Sequence, residues 1–376
     1  MVDEMTKFER VQAVMELREP DRVPVYPYIL THGVYVEGWK LPDITTEATL
    51  DAKKSAQCTL KTLEIYDYDM VIGSYQDLYM GVTELGGKIK IPNKFGSAVS
   101  MREPPVTDAT DWDRVQKLLP YDPRKGGRAK SILESYKLVS EKVGKTTPVI
   151  PCWWPGPTAA MCMLRGPEML SMDMALDPSF AHEMIKAAND FAIDFLEAMY
   201  ENGANSVSHT GEIYGVELLS PDQCHEFVVP YVKELSSKIY KDWGQKTWLH
   251  THGDYTKPDT APIIGEYVNE AKIAGFHPDE KHPPEWLQKN VKEKYRISVA
   301  GIIHGPGPLL NGPIEEIDRV TKNIIDKAGM GGGLMLAPSC EVPPDTPIEN
   351  FKRWVETTHT YGRYPLQGKV ITNANG

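Results

Sequence analysis

Residues 297–340 read ISVAGIIHGPGPLLNGPIEEIDRVTKNIIDKAGMGGGLMLAPSC, and this stretch decides the fold. Two short apolar runs, ISVAGIIH (297–304) and GGLMLAPSC (332–340), have the length of buried strands. Between them, PIEEIDRVTKNIIDKAG has apolar residues at helical spacing, with acids early and a lysine and a glycine late, as helix ends prefer. A strand, a helix and a second strand in this order predict a crossover that joins parallel strands.

The same alternation of strand-like and helix-like segments extends over the rest of the chain. The further apolar runs are VPVYPYIL (23–30), YDYDMVIGSY (66–75), TPVIPCWW (147–154), GANSVSHTG (203–211), KTWLHTHG (246–253) and IAGFHPDE (273–280). Helix-like sequence covers 167–204, and it also covers 221–244 with Ser220 as a plausible N-cap. About eight such units predict a (β/α)8 TIM barrel rather than an open sheet. Residues 83–105 predict a β-hairpin insertion after the second strand, within a single domain spanning 1–376.

The composition excludes several classes of protein. The fractions of 41% hydrophobic and 25% charged residues are ordinary for a globular chain. The 41 Lys and Arg residues against 52 Asp and Glu residues give a net charge of −11. Such an acidic chain is not attracted to nucleic acid or to an anionic membrane surface. No apolar stretch reaches the ~20 residues of a membrane span.

The cysteines and the first residues indicate the cell compartment. The five cysteines are odd in number and widely spread, which argues against a disulfide framework. The opening MVDEMTKFERVQAV is charged and amphipathic, unlike a signal peptide. We therefore expect a cytoplasmic protein.

A pair of histidines ends the fifth apolar run. His250 and His252 lie two residues apart in KTWLHTHG, so in a strand both imidazoles point to the same face. In a TIM barrel, reactive groups lie at the carboxyl ends of the strands, and this pair occupies such an end. Two imidazoles on one face form a two-point metal clamp; the alternative is a pair of hydrogen-bonded polar side chains.

Cys340 ends the last apolar run and is the candidate third ligand. A His/His/Cys set with one open position is a catalytic type of zinc site. Taken alone, Cys340 also fits a small buried apolar residue. The placement of all three residues at strand ends favours the metal site.

Three further polar residues lie at strand ends. Glu212 is a candidate general acid or base beside the metal, or a fourth ligand, and His209 is a second candidate proton donor. Alternatively, Glu212 is a solvent-exposed carboxylate in a loop. His304 ends the seventh run and is a candidate substrate contact, with a structural histidine as its alternative.

Aromatic residues collect at the ends of the first four runs. They are Tyr28, Tyr75, Trp153, Trp154 and Tyr214. Aromatic side chains at a barrel mouth line a flat apolar pocket suited to an aromatic or corrin-like ligand. The alternative is that several of them fill the barrel or pack its loops.

Three segments resemble the uroporphyrinogen decarboxylase superfamily. They are ERVQAVMELREPDRVPVYP (9–27), LLSPDQCHEFVVPYVKEL (218–235) and LAPSCEVPPDTPIENFKRWVE (336–356). The resemblance covers nearly the whole chain and implies a TIM barrel. The zinc- and cobalamin-dependent methyltransferases of this superfamily have an H-x-C motif and a later cysteine, which His250 and Cys340 match. His252 departs from the pattern, because it stands in the place of the motif cysteine.

The resemblance implies a function, and the departures from it refine that function. The arginine-rich segment of the decarboxylases is missing, since no arginine follows Arg22 for a long interval. The methyltransferase branch is therefore favoured, with zinc as the metal. An imidazole in place of a thiolate makes zinc more electrophilic and better matched to oxygen. We accordingly expect methyl transfer from a methoxylated aromatic compound to the cobalt of a corrinoid protein.

Other assignments stay open. No D-x-H-x-x-G corrinoid-binding segment is present in the chain, so the corrinoid is expected on a separate partner protein. A thiol:corrinoid methyltransferase is the first alternative to O-demethylation. A uroporphyrinogen-type decarboxylase or a non-catalytic tetrapyrrole-binding protein is the second. Assembly as a homodimer is also left open.

Overall fold

A computed structural model describes residues 3–153 and 155–366. Its strands are β1 (Val71–Ile72), β2 (Lys88–Lys90), β3 (Ser100–Glu103), β4 (Val149–Ile150), β5 (Cys152–Trp153), β6 (Ser208–Glu212), β7 (Thr247–Thr251), β8 (Gly275–His277), β9 (Ser298–Ile303) and β10 (Leu334–Pro338). Strands β5 to β10 form one parallel sheet in chain order, and β1 pairs in parallel with β4. Only Pro151 separates β4 from β5, so the two strands share one position in the barrel wall.

Helices occupy most of the chain between the strands. They are α1 (Lys7–Met15), α2 (Thr31–Val36), α3 (Ala52–Tyr66), α4 (Ala109–Gln116), α5 (Gly127–Val143), α6 (Gly156–Arg165), α7 (Pro167–Leu176), α8 (Pro178–Glu201), α9 (Gly215–Leu218), α10 (Pro221–Phe227), α11 (Val229–Trp243), α12 (Ala261–Asn269), α13 (Pro284–Leu287), α14 (Ile314–Ala328) and α15 (Ile348–Tyr361). In the described residues, no helix is both long and apolar enough to cross a membrane.

The first apolar run supplies the first of the eight wall positions without forming a regular strand. Val25 makes a parallel bridge with Leu336 of β10, and the Asp69 N–H donates to the Val25 carbonyl at 3.1 Å. Pro24 and Pro27 remove two backbone donors from this segment, which explains why the ladder stays short. The ring of eight positions closes here, and the predicted TIM barrel is confirmed.

Two predicted details are confirmed and two are corrected. Strands β2 and β3 form the predicted antiparallel hairpin after the second wall position, and Ser220 caps α10 in a reciprocal capping box with Gln223. The helix predicted over 167–204 is instead split between α7 and α8, where Pro178 cannot continue the backbone hydrogen bonding. The helix predicted over 221–244 breaks at Val228, because Pro230 has no N–H to donate and its ring clashes with the carbonyl group of the preceding turn.

A buried carboxylate holds the first wall segment in place at the amino end of the barrel. Asp69 accepts the Val25 N–H at 2.8 Å, Arg10 Nη1 at 2.7 Å and Arg22 Nη1 at 2.8 Å. Burial opposes the ionisation of Asp69, but the two guanidinium groups outweigh it and lower the pKa of the carboxyl. Both arginine side chains are themselves buried, so this ion-pair cluster is internal to the fold.

Replacing Asp69 with Asn should therefore destabilise the protein strongly. Removing one partner of a buried ion pair leaves an uncompensated charge and costs about 3–5 kcal/mol. Asp67→Asn is the matched control, because Asp67 is exposed and pairs only at the surface with Lys7, which is worth at most about 1 kcal/mol. Urea unfolding of both variants measures the difference. Equal stabilities would contradict the role of Asp69.

Candidate metal centre

Three predicted ligands come together at the carboxyl end of the barrel. One donor atom each from His250, His252 and Cys340 lies within 4.8 Å of the other two. His250 lies in β7, His252 follows β7 directly, and Cys340 follows β10 by two residues. The cluster forms because parallel strands bring their carboxyl ends to the same edge of the barrel.

The ring of His250 has one nitrogen available for a ligand. Its Nδ1–H donates to the backbone carbonyl of His277 at 3.0 Å, whereas the buried Nε2 has no hydrogen-bond partner. Burial is the main cause that holds the pKa of His250 well below its usual range, so the ring is neutral and Nε2 carries a lone pair. An unsatisfied buried acceptor requires a partner, and a metal ion is a suitable one.

The ring of His252 lies at the boundary between the barrel and solvent. Its centroid is 4.7 Å from that of His250, and its Nδ1 lies 3.8 Å from Asp279 Oδ2. Asp279 also accepts the Gly253 N–H at 2.9 Å. Burial acts to raise the pKa of Asp279, but hydrogen bonds outweigh it and lower this pKa to about 2. Asp279 is therefore a fixed negative charge beside His252.

Cys340 supplies the sulfur. Burial raises the pKa of its thiol to about 12, so without a nearby cation the group is protonated. A divalent metal ion bound here would displace this proton, because the thiolate is the form that binds metal. Two imidazoles and one thiolate form a donor set that suits zinc and leaves a fourth position for substrate.

His209 lies inside the barrel beneath this cluster. Its Nδ1 is 3.1 Å from the Tyr26 hydroxyl, and its Nε2 is 3.5 Å from Nδ1 of His277. Burial, assisted by His277, holds the pKa of His209 well below its usual range. The ring is neutral and both nitrogens are engaged, which makes His209 a poor proton donor at neutral pH.

Glu212 is buried on the opposite face of β6 from His209. Its carboxyl group accepts the Thr158 N–H at 3.1 Å and the Thr158 hydroxyl near the start of α6. Strand alternation explains the placement, since His209 points inward and Glu212 lies three residues later. Glu212 is not in the three-residue ligand cluster. Burial raises the pKa of Glu212 to about 7, so this carboxyl exchanges a proton near neutrality.

The predicted aromatic mouth is assembled only in part. The Tyr28 ring is buried at a centroid distance of 5.5 Å from His250, and Tyr75 is buried with its hydroxyl 3.4 Å from Asp77. Trp153 instead packs against Phe191 of α8 at 5.4 Å, because its neighbour Cys152 takes the inward position. The structure therefore does not bring Trp153 to the mouth. Trp154 lies outside the described residues.

The remaining predicted contacts, Tyr214 and His304, are not members of the ligand cluster. The Tyr214 hydroxyl is 2.8 Å from Cys162 Sγ in α6. His304 is half-exposed, with Nε2 3.6 Å from a Glu280 oxygen. These positions place Tyr214 on the α6 side of the site and His304 in contact with solvent.

Sequence reasoning missed Asp279 and Glu341, and it read His277 only as a structural histidine at a strand end. Asp279 faces His252, and His277 holds His250 through its carbonyl group. Glu341 accepts the Thr31 N–H at 2.6 Å, and burial raises its pKa to about 7. The sequence signal for His277 and Asp279 is their position as polar residues at the end of the sixth run, and the signal for Glu341 is its position next to Cys340. Their partners belong to other strands and loops.

Comparison with known proteins places the chain in a family. The profile of the family described as uroporphyrinogen decarboxylase (URO-D) matches residues 6–361. The chain belongs to this URO-D family. The family resemblance inferred from the sequence is thereby confirmed.

Proteins similar to this URO-D chain include methyltransferases from Methanosarcina species. A methylcobamide:CoM methyltransferase, MtaA of Methanosarcina barkeri, is 26% identical over 371 residues, covering 96% of this chain and 99% of that protein. A methylated-thiol–coenzyme M methyltransferase of Methanosarcina mazei is 24% identical over 252 residues, covering 67% of this chain and 64% of that protein. Among solved structures, a methyltransferase from Methanosarcina mazei superposes with a TM-score of 0.80 at 23% identity, covering 95% of this chain and 99% of that one. This last likeness supports the barrel fold.

We expect the URO-D chain to bind about one zinc ion through the three-residue cluster. Cys340→Ser and His250→Ala should each lose most of this zinc, because each removes one of three ligands. Elemental analysis of the purified proteins measures the content. Cys58→Ser is the control, since Cys58 is a buried thiol of α3. Full zinc content in both ligand variants would show that the site is assigned wrongly.

Glu212→Gln should change how stability depends on pH. The unfolded chain releases the Glu212 proton near pH 4.5, whereas the folded chain keeps it up to about pH 7. Wild-type stability therefore falls as pH rises through this window, by about 3 kcal/mol in total, and then levels off. The glutamine side chain of the variant cannot ionise, so the stability of the variant does not fall in this way.

Urea unfolding at pH 5 and at pH 8 tests this expectation. The stability of Glu212→Gln relative to wild type should rise between the two values. The exposed Glu134→Gln change is the control and should give the same small difference at both. If the stability difference between Glu212→Gln and wild type were also the same at pH 5 and pH 8, the raised pKa of Glu212 would be contradicted.

Proposed function

We propose that this chain catalyses methyl transfer between the cobalt of a corrinoid, carried by a separate protein, and a small thiol. The observation that carries the proposal is the cluster of His250, His252 and Cys340 at the barrel mouth, with the His250 Nε2 lone pair left free. The relatives support it, because they are named as methylcobamide:CoM and methylated-thiol–coenzyme M methyltransferases. The proposed metal is zinc, on the chemistry of the donor set.

The reaction is a displacement at a methyl carbon. The sulfur of the thiol forms a bond to the methyl group, the cobalt–carbon bond breaks, and its electron pair stays on cobalt. The thiol proton is released. Zinc held by the three-residue cluster would supply Lewis acidity that favours the deprotonated form of the acceptor.

The residues of the chain hold and orient these partners. His250, His252 and Cys340 bind the metal, and Asp279 adds a negative charge beside His252. The buried Tyr28 ring meets the His250 ring in a T-shaped contact, which limits the access of water from within the barrel. Glu212 holds or accepts a proton near neutral pH, behind β6.

A methoxylated aromatic substrate is the second candidate. The two imidazoles favour this reading, because a centre with fewer thiolate ligands is more electrophilic and better matched to oxygen. The placement of Trp153 against α8 weakens it, since this ring was one of the expected walls of a flat pocket. We therefore place the thiol first.

The arginines of the amino-terminal segment argue against decarboxylation of a porphyrinogen. Arg10 and Arg22 are buried in ion pairs with Asp69 at the amino end of the barrel. Neither guanidinium is available to bind substrate carboxylates at the mouth. A polyanionic tetrapyrrole therefore lacks these two residues as partners.

The two candidate substrates are separated by one pair of assays. Methylcobalamin with 2-mercaptoethanesulfonate tests the thiol reaction, and cob(I)alamin with 2-methoxyphenol tests O-demethylation, both followed by the cobalamin absorbance. We expect turnover in the first assay, lost in Cys340→Ser, reduced in Glu212→Gln and retained in the Cys58→Ser control. Turnover only in the second assay would make O-demethylation the function. Binding of cobalamin without turnover in either would indicate a non-catalytic protein.

A further inference from the structure

A line of hydrogen-bonded side chains crosses the barrel interior beneath the ligand cluster. The Tyr26 hydroxyl lies 3.1 Å from His209 Nδ1, and His209 Nε2 lies 3.5 Å from His277 Nδ1. His277 Nε2 lies 2.8 Å from the carbonyl oxygen of Pro338. The line thus joins the first wall segment, β6, β8 and β10.

One fixed acceptor sets the direction of every hydrogen bond in this line. The Pro338 carbonyl can only accept, so His277 Nε2 carries the proton and its Nδ1 has the lone pair. His209 Nε2–H then donates to His277, and His209 Nδ1 accepts from Tyr26. Both rings are fully buried, and their partners are a phenol, a thiol, an imidazole and a carbonyl. None of these partners is anionic, so neutral rings are the stable form.

The same residue, His277, also contacts the ligand His250. Its backbone carbonyl accepts the His250 Nδ1–H at 3.0 Å, which leaves Nε2 of His250 for the metal. Its side chain holds Pro338, two residues before Cys340. His277 therefore connects the strands that carry two of the three ligands.

We propose that His277 is the positioning residue of the metal centre, and that the Tyr26–His209–His277–Pro338 line fixes its orientation. This inference rests on the proposed metal site. His277 is not a member of the ligand cluster; its side chain links β8 to the Pro338 carbonyl of β10, past the intervening β9, so that His250 Nε2 and Cys340 Sγ keep their separation. Groups that orient metal ligands in this way typically contribute roughly 10- to 100-fold to metal affinity.

The hydrogen-bond line is tested first without any metal. Proteins labelled with nitrogen-15 at histidine report by NMR which ring nitrogen carries the proton. We expect His209 and His277 to be protonated at Nε2, and His250 at Nδ1. Tyr26→Phe keeps the ring and removes the donor to His209, so the His209 signals should shift. Any other tautomer at His277 in the wild type would overturn the direction of the line.

Metal affinity tests the positioning role. Zinc competition against a chelator should show binding weakened roughly 10- to 100-fold in His277→Phe. His277→Gln keeps an N–H that can reach Pro338 and should recover most of the affinity. His359→Asn is the control, because His359 is largely buried near Asp69 at the other end of the barrel. Unchanged affinity in a folded His277→Phe protein would overturn the proposal, and so would equal losses in the Phe and Gln variants.

Failure of the metal site itself has a separate signature. Wild-type protein that binds no zinc, with the tautomers as expected, would refute the proposed function and with it the positioning role. Wild-type protein that binds zinc, with affinity unaffected by His277→Phe, would refute only the role of His277. If His277→Phe does not fold, zinc affinity is compared between Tyr26→Phe and His277→Gln: the Tyr26 variant, which breaks the line at His209, should bind zinc more weakly than the Gln variant, and equal wild-type affinity in both would overturn the proposal.

Discussion

The closure of the barrel at residues 24–26 is the constraint on which the rest of the structure depends. Leu336 donates to Pro24 at 2.9 Å and accepts from Tyr26 at 2.8 Å, and the prolines at 24 and 27 keep this ladder short. Asp69 compensates, because it ties the Val25 backbone to two buried guanidinium groups. The closure fixes β10, and β10 leads to Cys340. An ion-pair cluster at the amino end thus supports a ligand cluster at the carboxyl end.

The interior next to this closure is unusual for a TIM barrel, whose core is commonly aliphatic. Tyr26, Tyr28, His209, Trp248 and His277 fill it here with phenol, imidazole and indole rings. Buried polar atoms destabilise a fold unless they are hydrogen-bonded, and the two inner histidines are bonded at both nitrogens. His250 Nε2 is different, since it is buried and has no partner. This contrast within one cluster is the main physical argument for the proposed metal site.

The barrel and the ligand cluster were predictable because they depend on local patterns. Alternating strand and helix segments indicate parallel strands, and their ends share one edge, which brings His250, His252 and Cys340 together. Trp153 and Glu212 were expected near the mouth, but each lies on the helix side of its strand. Successive side chains of a strand point to opposite faces. This alternation places Trp153 and Glu212 on the helix side once Cys152 and His209 are known to point inward. The role of His277 depends on partners 61 and 68 residues away, and no sequence pattern shows such bonds.

The charge of the proposed centre relates its ligands to its substrate. One thiolate and two neutral imidazoles leave one positive charge of a divalent zinc ion uncompensated in a largely buried site. Uncompensated charge is costly in such a site, so the centre favours one further anionic ligand, and a thiolate or a phenolate provides it. With a cysteine at position 252 the ligands alone would already balance the ion. His252 therefore makes the centre bind an anionic substrate atom more strongly than a cysteine at this position would. Asp279, 3.8 Å from the His252 ring, compensates part of the remaining positive charge.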